Sequence, residues 1–504
     1  MRRLLALFAL ASCLAGAQSL KDFEKRVTEF SLPNGMHFIV LERHQAPVVS
    51  FHSYVNAGSV DDPAGKTGLA HMFEHMAFKG TETIGSTNYA AEKRAMNEVE
   101  RVYDLYDAEH RKGAQADAKK LDALDKELKA TMAKANSYVI PNEYPRIIEE
   151  NGGVGMNAGT AEDSTEYFYN FPRNRLELWF LLESQRFYEP VFREFYKERD
   201  VVREERRMRI ESSPQGRLIE ALQSTAFTEH PYRNTAAGSA GDIENLRVGD
   251  AVQFFKKYYV PRNITIGIAG DVDPAECKKL AEKYFGIIPA GPPPPEPRTV
   301  EPPQTGPRRV AVKSDSQPLV AIGYKRPSEH DKDDPAFDVL SDILGGGRTG
   351  LLYQEMVRDK KIALGAGVEP TFPGSKYPNL FLFFLVPNMG HSVEENEKVC
   401  FEIIERVKMK PVDDETLRRV KTKVRADLIE RMDSNSGMAD ELASYYGSYG
   451  DWRELFRSIQ EIEKVSTADV QRVAQKYLTP ERRTEVYTSP SQGAASKPGA
   501  GGQQ

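Results

Sequence analysis

Hydrophobic and polar residues alternate in the first part of the chain, a pattern typical of short strands. Residues 27–54 carry several such runs, and the Asn34-Gly35 pair between two of them favours a hairpin turn. Residues 165–171 alternate in the same way and predict a further strand. We therefore expect a sheet that begins with a hairpin and includes residues 165–171.

Helical spacing replaces alternation between these strands. Apolar residues recur at this spacing over residues 98–139, and Gly113 divides the segment. This pattern predicts a helical hairpin at about residues 93–145. Residues 176–187 and 192–210 also predict helices.

Proline interrupts the pattern at one place. Residues 289–307 hold nine prolines, which no packed helix or central strand tolerates, so residues 289–308 are predicted to form an extended linker. The linker separates an N-terminal domain, residues 25–288, from a C-terminal domain, residues 309–488. The Gly/Ala/Ser/Gln-rich end, residues 489–504, is typical of disorder.

The two halves contain similar short segments. Residues 250–261 are echoed by residues 469–480, and the Asp-Asp-Pro-Ala sequence of residues 61–64 recurs at residues 333–336. The two offsets, 219 and 272, differ by 53 residues, which is about the size of the helical hairpin. We therefore predict one α+β domain in two copies, each an antiparallel sheet with helices packed on it, with the hairpin inserted in the first copy.

Composition excludes some functions. Charged residues make up 28% of the chain and the net charge is −6, which gives no electrostatic case for binding nucleic acid. Apart from Cys13, only Cys277 and Cys400 remain, too few for a disulfide framework, although a single bridge between them stays open.

The N-terminus has the pattern of a secretory signal. Arg2-Arg3 precede an apolar run that ends in small residues, which predicts a signal peptide of residues 1–17 and a secreted or periplasmic protein. The alternative is a lipoprotein, because residues 10–13 resemble a lipobox with Cys13 as the lipidated residue.

The strongest chemical signal is the sequence His71-Met72-Phe73-Glu74-His75. On a helix, the two histidines and the glutamate lie at i, i+3 and i+4 and therefore share one face. Two imidazoles one turn apart can bind one Zn²⁺, and a carboxylate beside them can accept a proton from water. At the repeat offset, these positions hold Ile343, Gly346 and Gly347, so the second copy lacks the donors.

A third ligand must come from elsewhere in the chain. Glu198 and Glu205 are two helical turns apart and share a face with Val202. Glu204 competes with Glu205 as the ligand, and spacing alone leaves both open.

These motifs together resemble the pitrilysin/insulinase-type zinc peptidases of family M16, in particular the shorter bacterial and mitochondrial-processing-type members. The resemblance runs from about residue 28 to residue 488. It implies Zn²⁺ bound by His71, His75 and Glu205, which resolves the choice against Glu204. It also implies catalytic roles for Glu74 as general base and for Glu198 as a supporting acidic residue.

The resemblance further implies a substrate-binding strand at Asn157 and Ala158. In the family's second domain an arginine and a tyrosine seven residues later often face the peptide. Arg358 matches that arginine, but the tyrosine position holds Gly365. Arg358 is therefore a candidate substrate-binding residue whose usual companion is missing.

The implied fold is half of a clamshell, and the implied function is zinc-dependent endopeptidase cleavage of unfolded peptides or small polypeptides. A half-shell exposes an apolar face and a strand edge, so we expect a homodimer or a heterodimer with a non-catalytic M16 subunit. Alternatives are a processing peptidase for one presequence, a non-catalytic structural member of the fold, or a zinc-binding module without chemistry.

Overall fold

A computed structural model describes residues 23–490 of the protein. The expected signal peptide, Cys13 and residues 491–504 of the expected tail lie outside the described residues. Within residues 23–490, no helix combines the length and the apolar character needed to cross a membrane.

The first half forms a six-stranded sheet with the order β1-β2-β6-β3-β5-β4. Its strands are β1 Val27–Ser31, β2 His37–Glu42, β3 Val48–Val55, β4 Val154–Thr160, β5 Thr165–Pro172 and β6 Ile264–Gly270. The Asn34-Gly35 turn joins β1 to β2, and Gly35 has a φ of 96°, which explains the glycine there. Strand β4 lies at the edge and pairs only with β5 among the described strands.

Among the described residues, ten α-helices accompany the first sheet. They are α1 Leu69–Met76, α2 Tyr89–His110, α3 Ala118–Asn136, α4 Glu143–Glu150, α5 Leu176–Tyr188, α6 Phe195–Arg206, α7 Pro214–Ala226, α8 Ala240–Glu244, α9 Val248–Tyr258 and α10 Pro274–Tyr284. Helices α2 and α3 pack on each other as a helical hairpin. Helix α6 starts three residues later than the pattern predicts, because Glu194 has a φ of 59° and breaks the helical path, and it continues as a π-helix over Arg207–Glu211.

The second half repeats this plan with a five-stranded sheet in the order β7-β11-β8-β10-β9. Its strands are β7 Arg308–Lys313, β8 Val320–Arg326, β9 Ala363–Phe372, β10 Asn379–Pro387 and β11 Arg483–Ser489. Its helices are α11 Asp334–Gly345, α12 Val393–Met409, α13 Asp414–Arg431, α14 Asn435–Tyr449, α15 Glu454–Lys464 and α16 Thr467–Tyr477, with a π-helix over Tyr353–Asp359. Residues 289–307 form no helix or strand.

The α+β fold class is confirmed, with one correction to the sheets. Each sheet is mixed and not purely antiparallel, because β2 pairs with β6 in parallel and β7 pairs with β11 in parallel. Both parallel partners follow long helical connections, which give the chain room to return in the same direction.

Equivalent contacts recur in the two halves. The hydroxyl of Tyr258 donates to the backbone oxygen of Asp61 at 3.2 Å, and that of Tyr477 donates to the carboxylate of Asp333 at 2.9 Å. Each tyrosine lies near the end of the segment that the sequence repeats. Cys277 and Cys400 are both free and buried in different cores, so they do not form a bridge.

Each half of the chain contributes one helix that packs on the sheet of the other half. Helix α7 of the first half packs on the second sheet, where Leu218 and Leu222 join a buried cluster with Leu380. Helix α14 of the second half packs on the first sheet, where Leu442 joins a buried cluster with Ile39. The outer face of each sheet is therefore covered by a helix that belongs to the other half of the sequence.

The exchanged helices begin alike. Ser213 and Ser434 cap them, each accepting a hydrogen bond from a glycine three residues later, Gly216 or Gly437. Both glycines lie so close to the preceding helix that a Cβ atom would meet a backbone carbonyl, at 2.1 Å and 1.8 Å respectively. The repeat thus includes a turn that the sequence comparison did not detect.

Candidate metal centre

Helix α1 presents the His-x-x-Glu-His sequence. Asp62 caps its start, since its carboxylate accepts hydrogen bonds from the backbone nitrogens of Gly68 and Ala70 at 2.7 and 2.8 Å. The apolar face of the helix is buried in the core of the first half through Leu69, Met72, Phe73 and Met76. The packing of that face directs the histidines toward α6.

Helix α6 supplies carboxylates to the same region. Glu205 Oε1 lies 3.6 Å from His71 Nε2, and Glu205 Oε2 lies 3.3 Å from His75 Nε2. One donor atom from each of the three residues falls within 4.8 Å of the others. Glu204 points away, is about half exposed and forms an ion pair with Arg207. The structure therefore brings Glu205, and not Glu204, to the two histidines.

The three donors fit a zinc ion. Two donors bound tetrahedrally to zinc lie roughly 3.4 Å apart, because each zinc–donor distance is about 2.1 Å. The observed separations of 3.3 and 3.6 Å match this spacing. Two imidazoles and one carboxylate are also the donor set of an open catalytic zinc site.

The environment of the imidazoles separates their proton affinities. Burial and the neighbouring His75 lower the pKa of His71. Burial also opposes charge on His75, but nearby carboxylates outweigh it and raise the pKa of that ring.

Glu74 lies on the same helix face as the two histidines and accepts a hydrogen bond from the edge strand β4. The hydroxyl of Thr160, the last residue of β4, donates to Glu74 Oε2 at 2.6 Å. Burial raises the pKa of Glu74, partly offset by this hydrogen bond. A carboxylate whose proton affinity is raised in this way is suited to accept a proton near neutral pH.

Glu198 orients His75 from the side opposite to Glu205. Its Oε2 atom lies 3.6 Å from His75 Nδ1, while its Oε1 atom accepts a hydrogen bond from Lys79. Burial alone would raise the pKa of Glu198, but the neighbouring His75 ring and the hydrogen bond from Lys79 lower it to about 2. Glu198 thus lies next to one of the candidate ligands.

A cavity of about 290 Å³ opens beside Glu74 and His75. Its other walls include Phe78, Ile140, Pro145 and Glu194. The lining combines apolar side chains with carboxylates, so a peptide side chain has both surfaces within reach.

Asn157 and Ala158 lie in the middle of edge strand β4, opposite Phe168 and Tyr167 of β5. Asn157 is exposed, and the strand's outer edge has no partner strand among residues 23–490. The strand leads directly to Thr160, so its free edge ends beside Glu74.

The remaining candidate, Arg358, lies in the second half on the π-helix Tyr353–Asp359. Its guanidinium is exposed and forms two hydrogen bonds with the adjacent Asp359, at 2.7 and 2.9 Å. Gly365 lies on β9 opposite Val386. The structure gives no contact that joins Arg358 to the candidate metal centre.

Three residues of the site were missed by the sequence reasoning. Lys79 bonds Glu198, Thr160 bonds Glu74, and Arg209 pairs with Glu205 Oε1 at 2.7 Å. Lys79 and Thr160 each adjoin a recognised motif, and a lysine one turn after His75 was the available signal. Nothing in the spacing singled out Arg209, because it belongs to a heavily charged run.

Comparison with known sequences assigns both halves to one family. The family model "Insulinase (Peptidase family M16)" matches residues 38–101 and 129–240, and the model "Peptidase M16 inactive domain" matches residues 245–424. The chain belongs to the M16 peptidase family. The segment between the two matched parts of the first model, residues 102–128, lies within the α2–α3 hairpin of this M16 chain.

Relatives of this M16 protein are named as zinc proteases. It is 28% identical to zinc protease PqqE of Helicobacter pylori over 97% of this chain and 99% of the relative. It is 23% identical to the probable mitochondrial-processing peptidase subunit beta of Arabidopsis thaliana, over 90% of this chain and 76% of the relative. These names support a metallopeptidase.

Solved structures share the fold of this M16 chain. A protease from Helicobacter pylori matches with a TM-score of 0.77 and 27% identity, covering 92% of this chain and 99% of the other. The periplasmic protease PqqL from Escherichia coli matches with a TM-score of 0.68 and 15% identity, covering 92% of this chain but 48% of PqqL. The present two-sheet unit therefore corresponds to about half of PqqL.

Proposed function

We propose that this protein is a zinc-dependent endopeptidase that hydrolyses unfolded peptides or small polypeptides. The observation that carries the proposal is the convergence of His71, His75 and Glu205 on one point, with Glu74 on the same helix face. Membership in a peptidase family and the zinc-protease names of the relatives support it.

His71 and His75 would bind zinc through Nε2, and Glu205 would bind it through its carboxylate. When bound, zinc supplies Lewis acidity, which polarises the peptide carbonyl and makes a water molecule more acidic. Arg209 would have to release one oxygen of Glu205, which its exposed position permits, since 71% of its side-chain area is accessible.

Glu74 acts as general base and then as general acid. Thr160 holds Oε2, which leaves Oε1 to take the proton of the attacking water molecule. The same carboxyl group then delivers that proton to the nitrogen of the departing amine. Glu198 contributes by fixing the ring orientation of His75 through Nδ1.

The substrate would extend the first sheet along the free edge of β4. Backbone hydrogen bonds at Asn157 and Ala158 would align the peptide, and Thr160 at the end of the strand marks the position of the reacting bond. Backbone pairing requires an extended segment, so folded proteins are poor substrates. Arg358 remains a candidate for contact with a more distant part of the peptide.

A digest of a mixed peptide library tests this function. We expect cuts in many peptides, loss of activity with chelator and recovery with zinc. Glu74→Gln should retain zinc and lose turnover by roughly 10²–10⁴-fold, because an amide does not accept the proton. A single cut in a single peptide would favour a presequence-processing enzyme, and full activity in Glu74→Gln would refute the assigned base.

We further infer that the chain works in a two-subunit assembly in the periplasm or outside the cell. This chain covers 48% of PqqL, and a relative is named as one subunit of a processing peptidase. A homodimer and a heterodimer with a non-catalytic M16 subunit would each complete the clamshell. Light scattering beside the peptide assay tests this, and a fully active monomer would contradict it.

A further inference from the structure

A second set of metal-type donors lies on the outer face of the first sheet. His52 of β3, Glu166 of β5 and Asp440 of α14 each place one donor atom within 4.8 Å of the others. Phe51, the preceding residue of β3, stacks on Trp179 in the core of the first half, so His52 faces the other way, toward α14.

His52 is buried but lacks a hydrogen-bond partner at the nitrogen that faces the carboxylates. The residue is 4% exposed, and its ring stacks on Phe168 with an interplanar angle of 3°. Among residues 23–490, no group completes a hydrogen bond with its Nε2 atom, although Glu166 Oε2 is only 3.2 Å away. An N–H at this position would not point along the line to that oxygen.

The carboxylates are oriented by neighbouring hydroxyls. Ser164 donates to Glu166 Oε1 at 3.0 Å, which leaves Oε2 facing His52. Ser444 donates to Asp440 Oδ1 at 3.0 Å, one turn further along α14. Asp440 is half exposed, with 50% of its side-chain area accessible, so a solvated ion can reach the group from that side.

The spacing of the donors is that of the candidate catalytic centre. His52 Nε2 lies 3.2 Å from Glu166 Oε2 and 3.6 Å from Asp440 Oδ1. Two donors on one zinc ion lie roughly 3.4 Å apart. One histidine with two carboxylates is also a donor set suited to zinc and to similar divalent transition metals.

We propose that His52, Glu166 and Asp440 form a second divalent-cation site, separate from the candidate catalytic centre. It joins two strands of the first sheet to α14, which comes from the second half of the chain. A cation there would hold the exchanged helix against the first sheet.

A purely ionic triad is the competing arrangement. In it, a protonated His52 would lie between the two carboxylates and no metal would bind. A proton and a cation compete for the same Nε2 atom, so metal stoichiometry distinguishes the two arrangements.

The test measures zinc bound to metal-free full-length protein by elemental analysis and titration calorimetry. We expect two equivalents in the unmodified protein and one in Glu205→Gln, the latter with an affinity tighter than about 10 µM. In the Glu205→Gln background, zinc should still raise Tm, and adding Asp440→Asn should abolish both binding and that shift.

Two further variants keep the test decisive. Glu441→Gln makes the same charge change one residue along α14, where the carboxylate pairs with Arg431, and should keep the full zinc content. His52→Gln should behave as Asp440→Asn does. If the substitution of the buried His52 does not fold, the substitution of the half-exposed Asp440 still gives the test. Zinc binding by Glu205→Gln that is weaker than about 10 µM, or that is unaffected by Asp440→Asn, would overturn the proposal.

Discussion

Glu198→Gln isolates the contribution of a residue that acts on a ligand and not on the substrate. The amide keeps the shape of the carboxylate but removes the charge that faces His75 Nδ1 at 3.6 Å. It also leaves Lys79 with Glu194 as its remaining carboxylate partner, at 3.3 Å. The ring of His75 then loses the group that favours metal binding through its other nitrogen, Nε2.

The expected size of the effect follows from this position. Loss of a carboxylate that supports a ligating histidine weakens metal binding by roughly 10–100-fold. This factor corresponds to about 1.4–2.8 kcal/mol of binding free energy. Because Glu198 is close to the ligand but separate from Glu74, kcat of the fully zinc-loaded variant should fall less than zinc affinity does.

Zinc titration of metal-free protein with a chromophoric chelator measures the change directly. Glu204→Gln is the matched control, since it makes the same substitution on the same helix at an exposed residue paired with Arg207. We expect a weakened affinity in Glu198→Gln alone. The Tm of metal-free Glu198→Gln should also fall, because the variant loses a carboxylate whose pKa the fold lowers to about 2, whereas the Tm of metal-free Glu204→Gln should stay unchanged. Equal affinities in Glu198→Gln and the unmodified protein would refute the assigned role.

Three further predictions concern the ligand choice and the fold. Glu205→Gln should lose catalytic zinc and peptidase activity while Glu204→Gln keeps both, and the reverse result in elemental analysis would exclude Glu205. Asp333→Asn should lower the free energy of unfolding, measured in urea at pH 7, by about 2 kcal/mol, because folding lowers the pKa of this carboxyl from 3.8 to about 2. Burial opposes this fall in pKa, and the hydrogen bonds from Arg472, Lys476 and Tyr477 produce it. This contribution of Asp333 is present above pH 4 and is lost as the pH falls toward 2, so the difference in unfolding free energy between the variant and the unmodified protein should be roughly half as large at pH 3 as at pH 7. An equal difference at pH 3 and pH 7 would contradict the assigned contribution. Gly216→Ala should cost about 1–3 kcal/mol, because its Cβ would lie 2.1 Å from the Arg209 oxygen, whereas Gly249→Ala, with open space around it, should cost nothing measurable by thermal unfolding.

The local part of the candidate site could be predicted from the sequence. His71, Glu74 and His75 follow from helical spacing alone, because residues three and four apart share a face. Glu205 did not follow, since Glu204 satisfied the same spacing argument and only the family resemblance separated them. In the structure, Val202 is fully buried and sets the face that Glu205 shares, whereas Glu204 lies on the exposed side.

The non-local part of the site could not be predicted from the sequence, for a physical reason. Thr160 bonds Glu74 across 86 positions of sequence, and no periodicity encodes which strand end meets which helix. The same holds for α14, whose apolar face indicates burial but not the sheet that buries it. Periodicity predicts that a face is covered, and the covering partner is set by tertiary packing.

The exchange of α7 and α14 bears on how the chain is made. A ribosome releases the first sheet more than 150 residues before α14, which starts at Asn435, whereas β6 ends at Gly270. Until then Ile39, Leu41 and Ala269 lack the contact with α14, and an exposed apolar face favours aggregation. Export in an unfolded form would remove this interval, because both halves would then begin to fold with all of their segments present. Cutting the chain at the proline-rich segment should accordingly yield two fragments that fold only when both are present.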